Sequence, residues 1–102
     1  MNPQASDQIN RYVDAIKGND WDARNHAELE LISLGSAAVP RMVDLLRDES
    51  WIARMVASRV IAQIGADASA ARNSIEEMLE TEEDHWVRRN AEWALREIGS
   101  HQ

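Results

Sequence analysis

Counting back from Gly35, Gly65 and Gly99, apolar residues recur twelve, eight, four and one positions earlier: Ala23, Ala27, Leu31 and Leu34; Ala53, Ala57, Ile61 and Ile64; Val87, Ala91, Leu95 and Ile98. Steps of four, four and three follow one face of an α-helix, so the pattern predicts the same helix three times. Asp20, Ser50 and Asp84 stand fifteen positions before the three glycines, where a short polar side chain can accept from the open N–H groups of a first turn. The glycines fit a left-handed residue that closes each helix without a Cβ clash.

A second amphipathic segment precedes each of these helices. Residues 6–17 place Ile9, Tyr12, Val13 and Ile16 on one face, with Gly18 as the stop. Residues 37–47 place Val39, Met42, Val43, Leu45 and Leu46, with Pro40 in the first turn, where a missing N–H costs least. Residues 69–80 place Ala71, Ile75, Met78 and Leu79. The glycines are 30 and then 34 residues apart, while Met42 to Ile75 and Leu46 to Leu79 are both shifts of 33. Three extra residues therefore belong in the loop after Gly65 and one in the turn after Leu79. Repeats of this length are too thin to bury their own apolar face and must stack. The expectation is an all-α single domain over residues 1–102: six antiparallel helices in three pairs (about 6–35, 36–65 and 66–99), stacked as a short right-handed α-solenoid.

Composition narrows the function classes. Cysteine is absent, which removes disulfide and thiolate chemistry. The start MNPQASDQIN has neither the basic lead nor the apolar run of a secretory signal, and no stretch approaches a membrane span, so a soluble, cytoplasmic protein is expected. Net charge is -7, concentrated between residues 20 and 83, and Lys17 is the single lysine beside ten arginines. An acidic body of this kind argues against a nucleic-acid groove and against an anionic membrane surface. No Gly-rich phosphate loop, GxSxG elbow or HExxH motif occurs, so no catalytic, cofactor or metal site is expected.

The candidate binding residues come from the columns ten, six and three places before the glycines: Asn25, Leu29 and Ile32; Met55, Arg59 and Ala62; Arg89, Trp93 and Arg96. This stripe turns cationic and aromatic toward the C-terminus, and Arg and Trp dominate binding hot spots. Met55, Arg59, Arg89, Trp93 and Arg96 are therefore the expected protein-binding set. Trp21 and Trp51 share a column just after the N-cap and are expected to cover the turns between repeats, near the arginine three residues on. Asp22, His26 and Glu30 lie at steps of four, a spacing open to a metal ion or to a pH-sensitive surface pair. The acidic run 76–84 reads as a solvated turn. The far side of the last helix calls for a cover, from Trp86, Trp93, the tail 100–102 or a second copy of the chain through a two-fold contact.

The stretch VPRMVDLLRDESWIARMVASRVIAQIG resembles a HEAT repeat, specifically the bacterial HEAT-like kind first described in phycobilisome lyases. The resemblance covers nearly the whole chain and implies a platform against which other proteins lie. It also implies a hydrogen-bonded ladder between repeats, from an acid in the turn and an arginine six residues later. Asp48 with Arg54 and Glu82 with Arg88 keep that pattern, whereas Gly18 opposite Arg24 leaves the first rung broken. The function implied is a non-catalytic protein-interaction adaptor. The alternatives are an accessory component of a bilin lyase or isomerase, and a nucleic-acid-binding or mimicking protein.

Overall fold

The structure, a computed structural model, describes residues 3–99 of the chain and the side chains from Ser6 onward; the tail 100–102 lies outside the described residues. Six α-helical segments follow one another: α1 (Pro3–Lys17), α2 (Trp21–Leu34), α3 (Val39–Leu45), α4 (Trp51–Ile64), α5 (Arg72–Leu79) and α6 (His85–Gly99). They form four uninterrupted helical runs, because 3-10 segments at Gly35–Ala38 and Gly65–Ala71 join α2 to α3 and α4 to α5. The six-helix expectation is thus corrected in connectivity. The tighter 3-10 turn lets the chain reverse within a few residues, with the backbone leaving helical values at Gly35, Gly65 and Ala68. Three of the four extra residues of the last repeat lengthen this segment from four residues to seven, with a kink at Ala68.

Local signals act where the spacing places them. Asp20, Ser50 and Asp84 accept from the backbone N–H groups of Ala23, Ala53 and Val87 at 3.1, 3.3 and 3.0 Å, satisfying one open donor at each N-terminus. Gly35 and Gly65 adopt φ of 61° and 73° with ψ near -133°, a region open to glycine and costly for any residue with a Cβ. Gly99 departs from the expectation. Positive φ occurs only at Gly35 and Gly65 among the described residues, and Gly99 stays α-helical. There it leaves room for the Arg72 guanidinium, which would lie 3.0 Å from an added Cβ.

One continuous core runs through all six helical segments. Ile9, Val13 and Ile16 of α1, Ala27 and Leu31 of α2, Met42 and Leu45 of α3, Ile75 of α5 and Ala91, Ala94 and Ile98 of α6 are all buried. Between them, α4 packs against α1, α2, α3 and α6. It buries Ala53, Val56, Ala57, Ser58, Val60, Ile61 and Ala62, a far wider arc than the expected stripe. Ala62, expected on the open face, is buried because this helix is covered on both sides. Leu95 is half-buried against the core.

At the turn edge, arginines tie each pair together. Arg24 donates to the Ile16 and Gly18 carbonyls at 3.1 and 2.6 Å, Arg54 to those of Asp48 and Glu49 at 2.8 and 3.0 Å, and Arg88 to those of Leu79 and Glu82, both at 2.9 Å. Each arginine thereby satisfies open carbonyls at the end of the preceding helix or in the turn after it. Because the acceptor is backbone, Gly18 serves as well as an acid. The cross-repeat leg differs between interfaces. Arg54 grips the Glu82 carboxylate with two hydrogen bonds at 2.7 and 3.1 Å, whereas Asp48 is held by Lys17 at 2.9 Å rather than by Arg24. The first rung is rebuilt with a lysine. Arg24 Nη1 is left buried without a hydrogen-bond partner, and the guanidinium lies 4.4 Å from the centre of the Trp21 ring.

Two outcomes test this reading. Nothing lies within 4 Å of an added Cβ at Gly65, so Gly65→Ala isolates backbone strain and should destabilise by about 1–3 kcal/mol, lowering Tm by several degrees in a thermal melt. The Lys17 hydrogen bond, helped by the Ser50 N–H, holds the Asp48 carboxyl below its ordinary pKa. A carboxyl depressed on folding stabilises above its unfolded pKa and loses that contribution as pH falls through the folded value. Asp48→Asn should therefore melt below the parent at pH 7, with the gap narrowing below roughly pH 4.

Candidate protein-binding groove

Met55 and Arg59 stand one turn apart on α4, and α6 lies alongside. On α6, Arg89, Trp93 and Arg96 follow each other at steps of four and three, which sets them on one face. These five residues, with Trp86 and Asn90, line an open groove of about 510 Å3. All five residues expected from the stripe are thus brought to one place. Trp86 and Asn90 were not anticipated: the last repeat places His85 in the tryptophan column, which moves the indole one position on and round the helix toward α4. Trp86 is 55% exposed, carries His85 edge-on at 5.3 Å, and accepts at its backbone carbonyl from the Asn90 amide at 2.9 Å.

The residues of the groove differ in what already holds them. Arg59 is committed within the fold: its Nε and Nη2 donate to the Glu28 carboxylate of α2 at 2.5 and 2.7 Å, and Gln63 adds a longer contact at 3.4 Å. Glu28 is 8% exposed, so this pair is a built link between α2 and α4, and Arg59 forms a wall of the groove. Glu28 escaped the sequence reading. Its signal was an acid 31 residues before an arginine, one repeat and one residue away on a neighbouring helix. One repeat further on, the columns of Glu28 and Arg59 hold Ser58 and Trp93, so the last interface sets a small hydroxyl and an indole where the first has an ion pair.

Trp93 is half-buried and rests on the core, leaving the rest of its ring to the groove. Arg89 and Arg96 are exposed, and neither has a hydrogen-bond or ion-pair partner among the described residues. Glu92 does not serve them, since it faces Arg88 at 3.9 Å. The groove therefore combines two uncommitted guanidinium groups with two indoles and a thioether.

The other candidates resolve differently. A second cavity of about 470 Å3 opens at the turn edge between Leu46, Asp48, Arg54, Met78 and Glu82, where Asp48, Arg54 and Glu82 are already committed to the ladder. Trp21 stacks with Arg24 as expected and is 68% exposed; Trp51 is 43% exposed, and its arginine, Arg54, turns instead to Glu82. His26 meets Tyr12 edge-on at 6.2 Å, and no group of three or more His, Asp or Glu among the described residues could hold a metal ion around it.

Helix pairs in tandem, N-capped at matching columns and glycine-stopped at Gly35 and Gly65, now meet an independent finding: a family model described as HEAT repeats matches residues 9–96. The chain belongs to the HEAT-repeat family. A search of curated proteins finds no match to it. In HEAT-repeat terms, the groove lies between the second helices of the last two repeats, and no helix of the described residues is long and apolar enough to cross a membrane.

The two kinds of arginine should separate in a stability assay. Arg59→Ala strands the buried Glu28 carboxylate and should cost about 1–3 kcal/mol, while Arg89→Ala with Arg96→Ala should change stability by no more than about 0.5 kcal/mol each. Urea unfolding followed by circular dichroism measures both.

Proposed function

We propose that this HEAT-repeat protein is a non-catalytic adaptor that seats a segment of another protein in the α4–α6 groove. HEAT repeats are generally protein-interaction scaffolds. The observation that carries the reading is the convergence of Trp86, Trp93, Met55, Arg89 and Arg96 in one groove, with both outer arginines uncommitted. Arg and Trp are the side chains that contribute most at interface centres, because each brings a large desolvated surface together with directional polar contacts. The rigid backing is supplied by α4, whose far side is locked by the Arg59–Glu28 pair.

Within the family, the bacterial HEAT-like type and a right-handed stack of three pairs are the form this reading assigns. The same argument bears on assembly. The exposed residues of α6 are His85, Trp86, Arg89, Glu92 and Arg96, and three of them, Trp86, Arg89 and Arg96, line the groove. A two-fold contact through this helix would occupy the groove itself, and with that surface given to another protein the chain is assigned as a monomer.

Two measurements check the reading. Trp93→Ala combined with Arg89→Ala should abolish recovery of the protein that cross-links to the parent in its native host, with helicity unchanged; undiminished recovery would discard the groove. Light scattering at high concentration should return the mass of one chain.

A further inference from the structure

We propose that the groove selects an acidic peptide segment, with two carboxylates roughly 10 Å apart, one for Arg89 and one for Arg96, and an apolar side chain between them against Trp93. This rests on the groove being a protein-binding site and adds the chemistry of its occupant.

The charge pattern is the first support. The chain has 18 acids against 11 basic residues, so carboxylates are in excess, and four arginines have taken one: Arg41 with Asp44, Arg54 with Glu82, Arg59 with Glu28 and Arg88 with Glu92. Six other arginines have none among the described residues, and of these only Arg89 and Arg96 share a groove, where they flank the same indole. An acid supplied by a partner meets two planar forks ready for bidentate pairing. The acidic remainder of the molecule repels the same segment elsewhere, which confines it to the groove.

Spacing is the second support. A step of seven positions along α6 separates the two arginines, about 10.5 Å along the axis at 1.5 Å per residue, with Trp93 between them. A polyproline-II segment repeats its face every three residues, about 9.3 Å, so acids at i and i+3 reach both forks. A helix would need acids at i and i+7, about 10.5 Å apart. In a flat strand i and i+3 point to opposite faces, so that conformation is excluded as the bound form.

A displayed library of random twelve-residue peptides is selected on the full chain at physiological salt. Counter-selection uses Trp93→Ala and, because Trp93 is half-buried, also the more exposed Trp86→Ala; circular dichroism confirms that each is folded. The expected result is indole-dependent peptides enriched in Asp and Glu at one of the two spacings. Their affinity should fall at least about tenfold on Arg89→Ala with Arg96→Ala, fall similarly when the peptide acids become Gln, and weaken with salt. Indole-dependent peptides that are neutral or basic, or that ignore the arginine pair, would overturn the acid selectivity and leave the groove standing as a protein site. If no indole-dependent peptide emerges, the docking reading fails and this inference with it. A single-stranded oligonucleotide that displaces the peptides with equal affinity and the same arginine dependence would also overturn it, since the cations would then serve phosphates.

Discussion

A helix pair of this length exposes its apolar stripe unless a neighbour covers it, and α4 is where that constraint is met. Its seven buried residues face α1, α2, α3 and α6, so the helix sits in the middle of the core rather than on its surface. Alanine at positions 53, 57 and 62 and serine at 58 let neighbouring backbones approach, while Val56, Val60 and Ile61 fill the remaining volume. Burial of each such aliphatic side chain is worth about 1.5–3 kcal/mol, and most of it is lost if either neighbouring pair swings away. The outer pairs are therefore held by what they cover.

Polar links then fix how the pairs sit on that core. Arg54 joins the second and third repeats at the turn edge through Glu82, Lys17 joins the first and second through Asp48, and Arg59 joins α2 to α4 through Glu28. Each link spans adjacent repeats, and each uses an acid whose side chain is at most one-fifth exposed. Charges of this kind contribute little net stability over an apolar substitute, but removing one partner is costly, so they specify the stacking geometry. The groove depends on that geometry, because its two walls come from different repeats.

The packing stripe and the groove thus lie on different faces of the second helices. The inward stripe is almost uniform across repeats and does the packing. The outward columns vary freely, and in the last repeat they gather Arg89, Trp93 and Arg96 beside Met55 and Arg59. The variation costs the fold little only at the exposed positions Asn25, Leu29, Arg89 and Arg96, since Ala62 belongs to the core, Ile32, Met55 and Trp93 pack against it, and Arg59 is tied to Glu28.

Much of this was written in local pattern. The all-helical class, the N-caps at Asp20, Ser50 and Asp84, the inward stripes, the three residues added after Gly65 and the outward stripe that supplies the five groove residues all follow from periodicity, since each depends on residues close in sequence. The turn edge was legible only in part: the arginine column was visible, but not that its acceptors are backbone carbonyls, which makes Gly18 as good as an acid. The helical conformation of Gly99, the 3-10 joints that merge six helices into four runs, the burial of Ala62 and Glu28, and the capture of Arg59 by Glu28 were decided by tertiary packing. So was the freedom of Arg89 and Arg96. A one-dimensional pattern states which face a residue occupies; only the stacking of helices about 30 residues apart settles which of two equal charges finds a partner, because that depends on distances across the chain.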